Sequence, residues 1–463
     1  WAFGTNIPVL SATNTFNSIT KIRNPFVTIP LPMWSYPECN ACDCNAPSEL
    51  GEGNLGNEAE KEFQQNSPSC SASFFNYDNY LITNTDSQKA LAGVGVMFYL
   101  LVALRAELRQ RGKFTNDTQP KIENLLDLVA LGTVADVAQL DRNNRVLVSN
   151  GLKRIRSGIS QPGIQALFQA AGRDPHKANT FDLGFAIGPR LNAAGRLADM
   201  TLGIRLLLTD NADEAITLAQ ELDRINRERR VIETGMQEAA LAHLAEDQLA
   251  GTMAQRTSIC LWHPEWHQGV VGIVASRLKE RFNRPAIVFA PADGNTSEEL
   301  RGSGRSLAGF HLRDALDLVS KREPGLILKF GGHAMAAGLA IDKHHFLKFS
   351  EIFVDELSLL DDIQEMDILS DGELAANDFS LATMQAILDA GPWGQQFPEP
   401  QFDNVFKIIE QRIVGHKHLK LCLQPLASSS MIDAIAFNVD IEKWPNHRAQ
   451  YLHVAYQIDR NEG

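Results

Sequence analysis

The chain has 463 residues, 44% of them hydrophobic, and a formal net charge of -13. That length holds about three domains with substantial cores, and the acidic total excludes wholesale coating of a polyanion, so any nucleic-acid contact must come from a local basic cluster. No run approaches the roughly 18 apolar residues of a membrane helix, and nothing resembles a signal peptide.

Residues 1–86 differ in texture from all that follows. They hold twelve asparagines and three Lys or Arg residues, and they keep neither a 3.6-residue nor a 2-residue period, so no regular element is expected there. The segment reads as a poorly structured extension or as one out of frame with its neighbours. Four of the six cysteines, Cys39, Cys42, Cys44 and Cys70, fall within it. A closed zinc site needs a second ligand pair at suitable spacing, and Cys70 alone does not supply it. Cys260 and Cys422 lie in apolar surroundings and read as packing residues, which suits a reducing compartment.

From Lys89 onward the pattern becomes orderly. Leu91 to Leu108 predicts a helix and Ile122 to Leu131 a second buried helix or strand, followed by a compact turn at Asp141 to Arg145 and loops at Gly158 and Gly172 to Pro175. Leu131-Gly132-Thr133-Val134-Ala135-Asp136-Val137 puts Asp136 straight after a buried apolar run, a position suited to a metal ligand or general base at a strand end. One aspartate is not a metal site, and a helix N-cap is the alternative. In Gly188-Pro189-Arg190-Leu191-Asn192-Ala193-Ala194-Gly195-Arg196-Leu197, small residues permit close backbone approach while Arg190, Asn192 and Arg196 offer donors to phosphate or sugar oxygens. A loop joining helices fits the same residues.

Ala212 to about Ala250 predicts one long helix with a stripe through Ile216, Ala219, Leu222, Ile225, Ile232 and Met236, bridging two domains. Its Arg224, Arg227, Arg229 and Arg230 offer a lining for a nucleic-acid groove, but with Glu221 and Glu228 nearby a solvated charged face is the commoner arrangement and the one expected. Strand Ser258–Trp262, helix Gly269–Phe282 and strand Ala286–Phe289 suggest parallel pairing. Pro264 spoils a zinc reading of His263 and His267, and His267-Gln268-Gly269 instead opens a helix whose N-terminus faces an anion.

Two glycine-laced elements follow, Arg301-Gly302-Ser303-Gly304-Arg305-Ser306 and Gly331-Gly332-His333-Ala334-Met335-Ala336-Ala337-Gly338. Glycines let backbone N–H groups converge into a concave nest, and two arginines flanking a serine add forked donors, so phosphate is the expected ligand. Tight turns between strands are the alternative. Beyond Asp367, strands at Val405–Val414, Leu419–Gln424, Ala434–Phe437 and Tyr451–Gln457 suggest a small β-barrel lacking its closing strand, with an open edge.

Taken in order, the elements at 131–137, 188–197, 263–273, 302–306 and 329–339 resemble the RecJ family of the DHH phosphoesterase superfamily, over residues 89–463. The resemblance implies an α/β protein: residues 87–211 the C-terminal part of a DHH domain, 212–250 a connecting helix, 251–365 a DHH-associated domain and 366–463 an OB-fold domain. It implies a cytoplasmic, single-stranded-DNA-specific 5′ to 3′ exonuclease of DNA repair and recombination that uses Mn²⁺ or Mg²⁺. Asp136 matches a metal-binding motif. His333, with Gly331 and Gly332, matches a signature facing the metal centre, and both Asp136 and His333 are carried over as catalytic. Arg190, Asn192 and Arg196 match a loop beside the DNA strand, Ser303 and Arg305 would grip the 5′ phosphate, and the barrel would guide single-stranded DNA. A single-strand-binding protein or helicase is the implied protein partner.

The departures are equally informative. Residues 1–175 contain no histidine, so the Asp-His-His motif that names the superfamily is absent, and no Asp-x-Asp occurs before residue 91. The expectation is therefore a nuclease by family whose present polypeptide is inactive. The alternatives are a non-catalytic single-stranded-DNA-binding protein and a phosphodiesterase of small nucleotides.

Overall fold

The computed structural model describes residues 9–13, 20–23, 27–31, 90–115, 117–249, 257–292, 297–307, 309–358 and 368–460. Cys39, Cys42, Cys44 and Cys70 lie outside them. The described chain divides into two compact units, one built from residues 161–173 and 185–358, the other from 9–160, 174–184 and 368–460.

The first unit carries helices α4 (Pro162–Ala170), α5 (Gly188–Leu197), α6 (Thr201–Leu208) and α7 (Ala212–Leu249). Residues 188–197, expected as a loop, are helical, because Pro189 occupies the first turn, where its missing N–H costs nothing. Helices α4, α5 and α6 pack along α7, burying Ile164, Leu167, Leu191, Leu206, Leu218 and Leu222. The charged face of α7 is largely self-neutralised: Arg224 pairs with Glu221 and Glu228, Arg227 with Asp223 and Arg229 with Glu233.

A five-stranded sheet follows in the order β4-β5-β6-β8-β7, with β4 Ile259–Trp262, β5 Ala286–Pro291, β6 Glu299–Arg305, β7 Ile327–Gly332 and β8 Ala336–Asp342. Strands β4 and β5 are parallel, as the strand-helix-strand alternation requires, and the remaining pairs are antiparallel. Strand β5 is buried throughout because both sheet faces are covered. One face packs on α8 (Val271–Phe282) and on Met236, Ala240 and Leu244 of α7. The other packs on α9 (Leu312–Arg322) and α10 (Phe346–Ser358) through Leu316, Val319, Phe349 and Phe353. Cys260 is buried there.

In the second unit, α1 (Gly93–Gln110), α2 (Leu126–Ala135) and α3 (Arg142–Arg156) enclose Phe98, Val102, Leu126, Val129 and Leu147. The turn expected at Asp141 to Arg145 is the start of α3: the Asp141 carboxylate accepts from Asn144 N–H at 2.8 Å and caps the helix. After α11 (Leu381–Ala390) come β9 (Phe402–Val414), β10 (His418–Pro425), β11 (Ile432–Ala436) and β12 (Tyr451–Arg460). Alternate residues of β10 point inward onto a core of Phe406, Leu421, Leu452 and Trp444. Strand β9 pairs with both β10 and β12, which curls the sheet into a barrel.

The expected open edge is occupied. Strands β1 (Val9–Thr13), β2 (Thr20–Arg23) and β3 (Val27–Leu31) come from the segment in which no regular element was expected. Strand β3 lies between β11 and β12, antiparallel to the first and parallel to the second, and β1 pairs with the start of β12. A partner some 400 residues away in sequence leaves no local signal. Within this unit Arg145 donates to Ala390 O at 2.9 Å and lies 3.8 Å over the Phe397 ring, fixing the helices to the turn that precedes the barrel.

Candidate functional site

The sequence element at 301–306 is strand β6, and its side chains alternate. Leu300, Gly302 and Gly304 face the core, while Arg301, Ser303 and Arg305 face α8. The glycines are therefore not an anion nest. A β-carbon on Gly302 would overlap the Phe289 ring, and one on Gly304 would come within 2.7 Å of Leu312. Their backbone lies between β5 and β8, with Gly302 opposite Phe289 and Leu339. The period of 2 along the strand leaves Ser303 and Arg305 to carry any polar chemistry.

Arg305 donates to Ser303 Oγ at 2.8 Å and to the Gly304 carbonyl at 2.7 Å. No carboxylate pairs with it among the described residues. Burial lowers its pKa from the usual guanidinium value, and the charge of nearby Arg196 lowers it further. Arg196 is likewise lowered, chiefly by burial and then by Arg229, with Glu233 opposing. Both stay protonated at neutral pH, so two half-buried cations repel one another and attract an anion.

Backbone positions complete the cluster. Arg196, on α5, donates to the Gly269 carbonyl at 3.0 Å, and a β-carbon on Gly269 would overlap the Arg196 carbonyl oxygen. Glycine is required there for the end of α5 to meet the segment that opens α8. Gly269 N–H in turn donates to His267 Nδ1 at 3.1 Å, and Arg301 reaches Gln268 at 3.0 Å. The N-terminal end of α8, where amides lack intrahelical acceptors, therefore stands beside Ser303 and Arg305.

His333 is exposed in the turn from β7 to β8, its N–H bonded to Ala336 O at 2.8 Å. Ala336 is the register partner of Arg305, so the turn flanks the end of β6. Gly332, with φ of 145°, is needed by the turn, because a β-carbon would overlap Ala336 O. Gly331 has open space where its side chain would be. The tight-turn alternative thus accounts for Gly332 and leaves Gly331 without a packing reason.

Asn192 is half-buried one turn before Arg196 and makes no side-chain hydrogen bond among the described residues. Arg190 is buried with its donors committed: it meets Asp223 at 2.8 Å and Ala186 O at 2.6 Å. Asp136 belongs to the other unit. It is exposed and ends α2 as a C-terminal cap, where the helix dipole disfavours a carboxylate, instead of capping an N-terminus or projecting from a strand. Among the described residues no group of three or more His, Cys, Asp or Glu side chains is placed to hold a metal ion. Arg229, expected on a solvated face, is instead buried and paired with Glu233 at 2.8 Å; Glu233 itself was not singled out, because an Arg and a Glu four residues apart resemble any surface helix.

Comparisons with known proteins give consistent findings. Residues 253–358 match the DHHA1 domain and residues 370–463 the RecJ OB domain. The single-stranded-DNA-specific exonuclease RecJ of Dickeya dadantii is 51% identical over 378 residues, covering 81% of this chain and 65% of the relative. That of Escherichia coli K12 is 50% identical over 383 residues, with the same coverage. The crystal structure of Thermus thermophilus RecJ in complex with Mn²⁺ is 30% identical, with a TM-score of 0.61 over 78% of this chain and 54% of that one; the Mg²⁺ complex gives 0.60. The chain spans 65% of the length of these two relatives, less than two thirds.

Proposed function

The chain belongs to the RecJ family, and from that premise we propose that it serves a single-stranded-DNA-specific 5′ to 3′ exonuclease by holding the 5′-phosphorylated end of the strand. The observation that carries this reading is the pair Arg196 and Arg305, half-buried at the N-terminal end of α8, with no carboxylate pairing with Arg305 among the described residues. Such a cluster complements a terminal phosphate, which carries more charge than an internal phosphodiester.

Each remaining residue takes a role in this reading. Ser303 orients Arg305 and offers its hydroxyl to a phosphate oxygen. Asn192 contacts the strand beside Arg196, while Arg190 acts through the fold by fixing α5 to α7. Gly331 lets nucleotide backbone approach the turn, and His333 stands exposed beside it. On the barrel, Phe437 is exposed and packs edge-on to His418 at 5.4 Å, offering a ring on which bases stack. No helix among the described residues is long and apolar enough to cross a membrane.

In metal-dependent nucleases a two-metal centre activates the attacking water and stabilises the leaving oxygen. The residues present here do not fit such a centre: Asp136 has no cluster of ligands around it among the described residues, and the first 175 residues contain no histidine. For this polypeptide we therefore propose the binding of DNA ends without turnover. A small dinucleotide substrate would leave the barrel without a role. The test is a 3′-labelled single-stranded oligonucleotide, incubated with Mn²⁺ and resolved by gel. Retention of the intact strand, with preference for a 5′ phosphate, is expected; progressive release of mononucleotides would refute the assignment.

A further inference from the structure

Gly272 lies in the first turn of α8, where glycine is an unfavourable choice for a helix. No positive φ requires it. The nearest atoms to a β-carbon built there are Arg305 Nη2 at 2.8 Å, Ser303 Oγ at 2.9 Å and Arg305 Cζ at 3.5 Å. These are the tips of two flexible side chains. Gly269 and Gly302 differ, since their neighbours are a backbone carbonyl and a packed ring. A methyl group at 272 is thus compatible with the fold but not with the present position of the Arg305 guanidinium.

We infer that Gly272 is a positioning residue for the terminal phosphate: by lacking a side chain, it lets Arg305 and Ser303 stand directly against the N-terminal end of α8. The inference rests on the reading of Ser303 and Arg305 as the grip on the 5′ phosphate. Close approach matters because it brings the guanidinium fork and the positive end of the helix dipole to bear on the same phosphate oxygens. A guanidinium displaced by a methyl group must also move within the field of Arg196, whose like charge already acts on it.

The experiment measures binding of the full chain to 3′-fluorescein-labelled single-stranded oligonucleotides bearing either a 5′ phosphate or a 5′ hydroxyl, by fluorescence anisotropy. The proteins are the unmodified chain, Gly272→Ala, Arg305→Ala, the double variant, and Gly235→Ala as a control. Gly235 lies on α7 with no atom within 4 Å of its would-be β-carbon. The unmodified chain and the control should prefer the 5′ phosphate. Gly272→Ala should reduce that preference roughly tenfold while melting at or above the unmodified temperature. In the Arg305→Ala background Gly272→Ala should have no additional effect, because the two residues act through one contact. Undiminished preference in Gly272→Ala, or an equal loss with and without Arg305, would overturn the inference alone. Absence of any preference in the unmodified chain would overturn the phosphate-end reading and the inference with it.

Discussion

Arg190 and Asp223, 33 residues apart, share a buried ion pair in which two guanidinium nitrogens meet one carboxylate oxygen at 3.0 and 2.8 Å. The other carboxylate oxygen takes Arg227 at 2.6 Å. This pair fastens α5, which bears Asn192 and Arg196, to the long helix α7.

Removing Asp223 leaves a buried guanidinium without its counter-charge. Asp223→Ala should lose roughly 3 to 5 kcal/mol of stability in urea denaturation, and an apolar pair, Arg190→Met with Asp223→Leu, should recover most of it. Equal stability of the single variant and the unmodified chain would contradict the structural role given to Arg190.

Gly269→Ala places a methyl group against the Arg196 carbonyl oxygen, which is fixed backbone. The end of α5 and the start of α8 must separate, at a cost of roughly 1 to 3 kcal/mol. Thermal denaturation should show the loss, and 5′-phosphate binding should weaken with it. This outcome differs in kind from that expected of Gly272→Ala, which should weaken binding without lowering the melting temperature.

Asn192 makes no side-chain hydrogen bond within the described chain, so Asn192→Ala should leave the melting temperature within error. If Asn192 contacts the strand, its loss removes one hydrogen bond, about 1 kcal/mol, and weakens single-stranded DNA binding about fivefold. Titration by anisotropy decides; unchanged affinity would remove Asn192 from the interface.

In the barrel unit, burial, with the charge of Asp459 adding to it, raises Glu399 from the ordinary 4.5 to about 7. The folded chain therefore keeps a proton that the unfolded chain releases between those values, and the stability this group contributes falls as pH rises through that window. Glu399→Gln should be more stable than the unmodified chain at pH 8 by roughly 1 to 3 kcal/mol, the difference shrinking towards pH 4.5. Denaturation at several pH values checks this, and a constant difference would refute it.

Elements with strong internal periodicity were legible in the sequence. The helix over Ala212–Leu249, the parallel pair β4 and β5 and the four strands β9 to β12 follow from residue spacing alone. Elsewhere one cue served two structures. Gly188, Pro189 and Gly195 resemble loop punctuation but are tolerated in α5, where Pro189 falls in the first turn. Gly302 and Gly304 resemble a nest, yet they are the core-facing half of an alternating strand, small because Phe289 and Leu312 fill the space. Of the candidate site, Ser303, Arg305 and Arg196 come together through strand alternation and helix packing. The commitment of Arg190 to Asp223, and the insertion of β3 beside β12, depend on distant partners that no local pattern encodes.

The central claim, that Arg196 and Arg305 receive the 5′ phosphate of an unpaired strand, is tested most directly by the ratio of dissociation constants for 5′-hydroxyl and 5′-phosphate oligonucleotides, with and without Arg305. A ratio of about ten that collapses to near one in Arg305→Ala is expected. Equal affinity for both ends in the unmodified chain, or a preference that survives loss of Arg305, would contradict it.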